Sequence, residues 1–500
     1  MIQDVYNARK RRVAPSYGYD LVPVLAHAWR SWWLSTAEDA LTLVLFGAAF
    51  LAFPLAALVA VLFLVDLGLA QALIARLSHR YRVLRADLEG DEKNDWSTPW
   101  SRLLGRALTV TAIVTVVALV LLVRLSGWPG VGAAALIGLV PCAVLAASGV
   151  LRQLALNRLR MRDTKEGSAP GPLRTSRRLS VIDGQQRHPM VVYSGGTPFV
   201  GSGKILSTWS FAQRLVEAKP LGEEKDVEFA QKPFTSWALV EELRRAITAL
   251  GTESDPETRL PGLRVDDTLF VEGRYAGHYS SELGARPEAE LVQRMLDSPP
   301  ETARHYLTCQ VESWGGDVVT TMFVHVSLQG RTLYIEFTTC GLAPTRLEYQ
   351  VVDVVGGTGR VAVLRSAATS LRRLPAIATA PMRLARATAQ LLGALQAGAD
   401  ATAAHLKRGL DIGAVFSARE SASLSSDESY FQSFDVFKHS KIIERRLLST
   451  VGDFLKEHGV DTSEFRRRAS AILNNGVIHT GTGDINVDHT AMGENTSVNG

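Results

Sequence analysis

Cysteine is nearly absent from this chain: Cys142, Cys309 and Cys340 stand far apart, with no C-x-x-C among them. That spacing excludes a disulfide framework and a cysteine-based zinc site, and it fits a reducing compartment. The 11 histidines form neither H-x-x-x-H nor H-E-x-x-H, and no G-x-S-x-G elbow is present. Gly196–Lys204 (GTPFVGSGK) resembles a phosphate loop only superficially. Pro198 stands where the first glycine is required, and Ile205 where the magnesium-binding hydroxyl belongs. His325 reads as a packed histidine, while Glu223-Glu224 and Asp266-Asp267 read as solvated loop charges. No catalytic, cofactor-binding or metal residue is predicted, so enzymatic activity is disfavoured. A net charge of +4 is too small to argue for nucleic acid.

Charge is also missing over long runs, and here the absence is informative. Ala107–Val123 holds no charge for 17 residues, and Gly127–Leu151 none for 25, with Arg106, Arg124 and Arg152 at their borders. A helix of ~20 apolar residues crosses the ~30 Å hydrocarbon core of a bilayer, because only a helix satisfies its own backbone there. The pair reads as an out-and-back membrane hairpin turning near Trp128. Ala40–Ala75 is apolar apart from Asp66 and carries Pro54 near its middle. At 1.5 Å per residue it would run ~54 Å, too long for one crossing, so a hairpin about Phe53-Pro54 is expected. Residues 76–106 contain seven Lys or Arg and residues 152–188 contain nine. With the basic arm Arg9–Arg12, these place three segments on the cytoplasmic side. Four crossings satisfy all three; three crossings with the N-terminus outside is the alternative. Asp66 is costly facing lipid and marks a candidate intramembrane polar site. No cleavable leader precedes these runs, which are expected to direct insertion themselves.

The expected organisation is a basic, Trp-containing arm (1–39), a membrane domain (40–163, hairpins at about 40–75 and 107–151) and a Gly/Pro/Ser/Arg linker (164–188). Then come an α+β cytoplasmic domain (189–372), an Ala/Arg-rich helix and loop (373–429), a helical hairpin (430–474) and a Gly/Asn-rich tail (475–500). In the α+β domain, Met190–Tyr193 reads as a strand and Phe234–Leu250 as a helix capped by Thr235, with Pro287–Leu296 a second helix. His305–Trp314, Val318–Leu328 and Arg331–Cys340 read as an antiparallel meander, to which Leu347–Val355 adds a fourth strand. Ser370–Leu410 is read two ways, as a cationic helix on the membrane or as a helix packed on the α+β domain. Phe437–His458 and a helix from Thr462 to Leu473 form the hairpin about Gly459. The fold class is therefore a multi-pass α-helical membrane domain plus a cytoplasmic α+β domain with an antiparallel meander and a C-terminal helical hairpin.

Residues 475–500 intersperse Gly, Asn and Thr with apolar residues; Ile485, Val487, Met492 and Val498 are candidates for self-assembly as an extended strand, and a disordered tail or a small β-turn cap on the preceding helices is the other reading. The Ile485-Asn486-Val487 and Ala491-Met492-Gly493 stretches loosely resemble bacterial RHIM-like amyloid signalling motifs. Met190–Gly203 followed by Trp209–Arg214, and Phe437–Ile478 with IIERRLL, EHGVDTSEFRRR and ILNNGVI, resemble a family of actinobacterial integral membrane proteins. That resemblance implies no activity and no catalytic residues. The expected function is a non-enzymatic assembly or signalling protein of the cell membrane, with its C-terminal domain cytoplasmic. Its expected partners are the lipid bilayer, anionic lipid headgroups at the basic flanks, further copies of itself and an unknown protein. A transporter or channel component, and a membrane-anchored enzyme with an unrecognised site, are the alternatives.

Overall fold

The computed structural model describes residues 2–87, 98–161, 177–196, 198–218, 227–285, 287–350, 359–396, 405–424 and 430–474. The chain divides into two units. One comprises Met1–Lys10, Asp20–Gly184 and Leu347–Ala404; the other comprises Arg11–Tyr19, Gln185–Arg346 and His405–Gly500.

The first unit is helical. Helix α1 (Leu21–Ala52) starts at Asp20, whose carboxylate accepts the Val22 amide, and α2 (Pro54–Asp87) follows Phe53 at once. Proline suits a helix start because its missing N–H would have no partner there. α3 spans Thr98–Met161 but breaks at Gly127, whose φ of 62° and ψ of −164° are not helical. Three segments are long and apolar enough to cross a membrane: Leu21–Ala52, Pro54–Ile74 and Leu103–Asn157.

Packing shows that the chain turns back at Gly127. Leu122 and Ala134, on either side of Gly127, share one buried cluster with Ala56 and Val59. On a straight helix, residues 12 apart would be separated by ~18 Å. Phe46 packs into a cluster holding Leu64, Leu145 and Leu374.

A second group of helices closes this unit. The stretch after Gly359 forms α7 (Arg360–Ser370), a 3-10 segment Leu371–Thr379 and α8 (Ala380–Gln396). Leu371, Leu374 and Ile377 enter the cluster of Phe46, Leu64 and Leu145. Ser366 donates to the Gly149 carbonyl at 3.1 Å. A Cβ on Gly149 would stand 2.1 Å from the Ser370 hydroxyl, so glycine permits the close approach of α7 to α3. The Ser370–Leu410 stretch therefore belongs, over its described residues to Gln396, with the apolar helices, not with the sheet. Charge explains why. Glu38 and Asp39, each only 7% exposed, are met by Arg152 (3.2 Å) and Arg373 (3.3 Å) at Glu38, and by Arg383 (2.9 Å) at Asp39. Buried carboxylates require such partners.

The linker expected over 164–188 is helical in its second half. α4 (Arg177–Gln186) buries Arg178, whose guanidinium donates to the carbonyls of Val5, Tyr6 and Ala8. The periodicity of α4 is masked by its polar exposed face; residues 164–176 lie outside the described part.

The second unit is a six-stranded mixed sheet in the order β1-β3-β4-β5-β6-β2. Its strands are β1 (Met190–Tyr193), β2 (Lys204–Arg214), β3 (Arg264–Glu272), β4 (Ala303–Ser313), β5 (Val318–Gln329) and β6 (Thr332–Leu342). β1 runs parallel to β3 and every other pairing is antiparallel. α5 (Ser236–Ala249), α6 (Ala289–Asp297), α10 (Tyr430–Glu457) and α11 (Ser463–Asn474) build the main core against one face. A smaller aromatic cluster of Phe199, Phe270, Tyr306 and Phe323 lies on the other face, with Tyr17 and Val200 packed on it. β5 is buried on both faces except at Gln329, so its sequence shows only partial alternation. Arg11–Tyr19 joins this unit through Arg12, whose amide donates to the Ile412 carbonyl at 2.8 Å, so the expected 1–39 arm is not one body.

The meander is as expected, and so is α5, where the Thr235 hydroxyl accepts the Ala238 amide. Two expectations fail. Leu347–Tyr349 is a 3-10 turn, not the start of a fourth strand, and residues 351–355 lie outside the described part. Asp266 and Asp267 are on strand β3, not in a loop; their charge hid a strand whose apolar residues are Val265, Leu269, Phe270 and Val271.

Substituting Arg383→Ala strips Asp39 of its only cation among the described residues and should lower the stability of the helical unit by about 2 kcal/mol or more. Asp39→Ala/Arg383→Ala should recover part of that loss. Thermal unfolding of the full chain in detergent checks both, and equal melting temperatures for wild type and Arg383→Ala would rule the pair out as a structural tie.

Candidate functional site

The sheet ends at β2, an edge strand. β2 pairs with β6 from Lys204↔Gly341 to Arg214↔Thr332, with a bulge between Ile205 and Ser207, and among the described residues no strand of the sheet lies beyond it. Ile205 and Leu206 are 40% and 45% exposed. The Arg468 guanidinium donates to the Ala212 carbonyl at 2.6 Å, so this carbonyl faces away from β6. Because outward and inward backbone groups alternate along an antiparallel edge, the amide and carbonyl of Ser210 face outward as well. Such an edge is a template for another strand.

The strand is held rigidly from behind. The Trp209 indole donates to Glu444 of α10 at 2.6 Å, and Lys441 approaches the same carboxylate at 2.7 Å. Trp209 stacks on Phe337 at 5.4 Å, and Phe211 meets Phe465 of α11 at 5.6 Å. α11 therefore lies beside the edge, and the strand-prone tail leaves from its last residue, Asn474.

The glycine loop before β2 binds an anion, but one supplied by the protein. The amides of Gly201 and Gly203 donate to one Glu420 oxygen at 2.7 and 2.9 Å. Both glycines have positive φ, 97° and 92°, and a Cβ on Gly203 would sit 2.2 Å from the Gly341 carbonyl oxygen. Glu420 is carried by the short helix α9 (Ala418–Ala422), which Ser417 caps. Burial pushes its pKa up, against the opposing effect of the two amides. The loop is thus a structural clamp on β2, with its carboxylate in place of a nucleotide phosphate.

A further buried network lies between the sheet and α5. His305, whose side chain is 1% exposed, contacts Asp267 at 2.7 Å, and Arg244 donates to the same carboxylate oxygen at 2.6 Å. Burial alone would raise the Asp267 pKa; the hydrogen bonds and charges of His305 and Arg244 outweigh it and leave the pKa below the usual value. On the opposite face, His325 Nδ1–H donates to the His305 carbonyl (2.7 Å) and the ring lies against that of Tyr306, where burial lowers the His325 pKa. It is a packed histidine, as its strand position suggests. Cys309 and Cys340 are buried and their thiol pKa values are pushed up to about 12, chiefly by desolvation, which argues against thiolate chemistry. Among the described residues no group of three His, Cys, Asp or Glu could hold a metal ion.

Asp66 lies on α2 and accepts a hydrogen bond from Thr115 of α3 at 2.6 Å. Its other carboxylate oxygen is buried without a partner among the described residues. Thr115 was invisible from sequence, since nothing in a charge-free run marks which threonine faces a carboxylate 49 residues earlier. Ile485, Val487, Met492 and Val498 lie outside the described residues.

These features define a mixed-sheet domain layered with helices, carried by a chain that also has membrane-length apolar helices. The chain belongs to the family of the AbeC-like domain, whose model matches residues 208–487, more than half of the sequence. The match starts within β2 and reaches through α11 into the tail, while the apolar helices, β1 and the glycine loop lie before it. No curated protein and no solved structure matches the chain.

The Asp267 network gives a pH test. A carboxylate with a lowered folded pKa contributes stability above its unfolded pKa and loses it as the pH falls through the folded value. Asp267→Asn should therefore destabilise the chain by about 1–3 kcal/mol at pH 7 and flatten its loss of stability below the ordinary carboxylate pKa. Unfolding midpoints from pH 7 down to pH 3 check this, and parallel curves for the two proteins would exclude the linkage.

Proposed function

We propose that this chain is an integral membrane protein of the cell membrane that acts without catalysis of its own. Its sheet unit binds a protein partner in the cytoplasm, and the chain self-associates at the membrane to signal. The observation that carries this reading is the open edge of β2, with outward backbone groups at Ser210 and exposed Ile205 and Leu206. The tail, with alternating apolar residues at Ile485 and Val487, supplies a segment of the right composition to add to such an edge. Its loose similarity to RHIM-like motifs points the same way.

The topology supported best has four crossings. The chain reversal at Gly127 and the hairpin expected about Phe53-Pro54 give two out-and-back pairs, and every basic flank then falls on the cytoplasmic side. A reporter active only in the cytoplasm, fused at residue 15, residue 90 or the C-terminus, should give signal at all three sites. A silent fusion at residue 15 would mean three crossings, and a silent C-terminal fusion would place the sheet unit outside.

Two variants test assembly. Deletion of residues 475–500 removes the tail, while Ser210→Pro removes an outward amide from an edge strand, where proline is tolerated. Both should reduce the cross-linked oligomer at least several-fold and leave the melting temperature of the folded chain nearly unchanged. An undiminished oligomer in both would refute the edge as an assembly surface. A second reading, transport, is favoured by the Asp66–Thr115 pair, since an ionisable group on an apolar helix commonly serves an ion or proton path. If so, Asp66→Asn abolishes proton or cation flux in proteoliposomes; equal fluxes dismiss it.

A further inference from the structure

Within the helical unit, a groove of about 510 Å³ opens between α3 and α7, lined by Leu154, Asn157, Gly359, Arg360, Val363 and Leu364. Its volume falls within the ~300–1,000 Å³ of small-molecule sites. Its walls are apolar and open to the outside: Leu154 is 43% exposed and Leu364 69%. In water such surface would be costly.

The position along α3 fixes its surroundings. The charge-free run of α3 ends at Leu151, Arg152 is the first charge after it, and Leu154 follows two residues later. At 1.5 Å per residue this is the boundary between hydrocarbon and headgroups. The groove therefore has an apolar wall at the depth where acyl chains begin.

Charge at its mouth selects the headgroup. Arg360 is exposed and has no hydrogen-bond or ion-pair partner among the described residues. Arg360 is also the first residue of α7, whose N-cap Gly359 offers no side-chain cap to the first-turn amides. A guanidinium beside uncapped amides, at the positive end of the helix dipole, is complementary to a phosphate. We propose that this groove is a binding site for one anionic phospholipid, with an acyl chain along Leu154, Val363 and Leu364 and the phosphodiester on Arg360 and the amide end of α7. The site rests on the membrane reading above and makes it specific, since the other basic flanks contribute only diffuse attraction.

The test uses the full chain in phosphatidylcholine nanodiscs carrying a trace of spin-labelled phosphatidylglycerol or spin-labelled phosphatidylcholine. The immobilised fraction of each label gives their relative affinity. Wild type should prefer phosphatidylglycerol about fivefold, the effect of roughly one interfacial arginine. Arg360→Gln should bring that ratio close to one, and Val363→Trp, which fills the groove, should lower immobilisation of both labels. A preference unchanged in Arg360→Gln overturns the site, as does displacement of the label by free glycerol phosphate, which would mean an anion site without an acyl-chain groove. Melting temperatures equal to wild type confirm that both variants fold. The two readings fail separately: a chain stripped from bilayers by carbonate loses the membrane reading, whereas a chain that stays embedded without lipid preference loses only this site.

Discussion

Two adjacent carboxylates on α1, Glu38 and Asp39, are held by arginines drawn from distant parts of the chain, and much of the helical unit is arranged around them. Glu38 and Asp39 are nearly buried on α1, and the desolvation cost of each is several kcal/mol unless it is met by well-placed charge. One cation comes from Arg152 at the end of the α3 apolar run, the others from Arg373 and Arg383, more than 330 residues away in sequence. Arg373 and Arg383 are counter-ions for two acidic residues, and the glycine at 149 allows α7 to approach α3 closely.

The sheet unit solves a different problem with similar means. β2 has to be an edge yet stay in place, and it is fixed at three points: the glycine loop clamped by Glu420, the Trp209 indole on Glu444 and the Arg468 guanidinium on its outer backbone. Each is a charge-assisted hydrogen bond, the stronger kind; the first two are partly buried and the third is exposed. The backbone groups at Ser210 remain outward, and the strand is stiff enough to present them.

Much of this architecture was legible from sequence because its signals are local. Absence of charge over 17 and 25 residues, the Thr235 cap and the two-residue turn between β5 and β6 each follow from neighbouring residues. What escaped reading depends on distant partners. Asp267 looks like a loop charge until His305 and Arg244 are beside it, and β3 was hidden by its two aspartates. Nothing near the glycine loop announced its partner Glu420, 217 residues downstream of Gly203. Leu347–Tyr349 carried β-like residues, but its chain turns. The site residues proposed in the tail can be judged only by experiment, while Asp66 acquired a partner in Thr115 that composition does not reveal.

The interleaving of the two units has a consequence for how the chain is made. The helical unit takes its residues from three separate stretches, and the last of them, Leu347–Ala404, follows the whole meander of the sheet. At ~5–20 residues per second, Arg373 emerges from the ribosome about 20–70 s after Glu38. During that interval α1 can already be entering the bilayer while its two carboxylates lack their final cations. Biogenesis thus has a waiting step, in which Glu38 and Asp39 must stay hydrated at the surface or lean on Arg152, and α1 locks into place only when translation delivers Arg373 and Arg383.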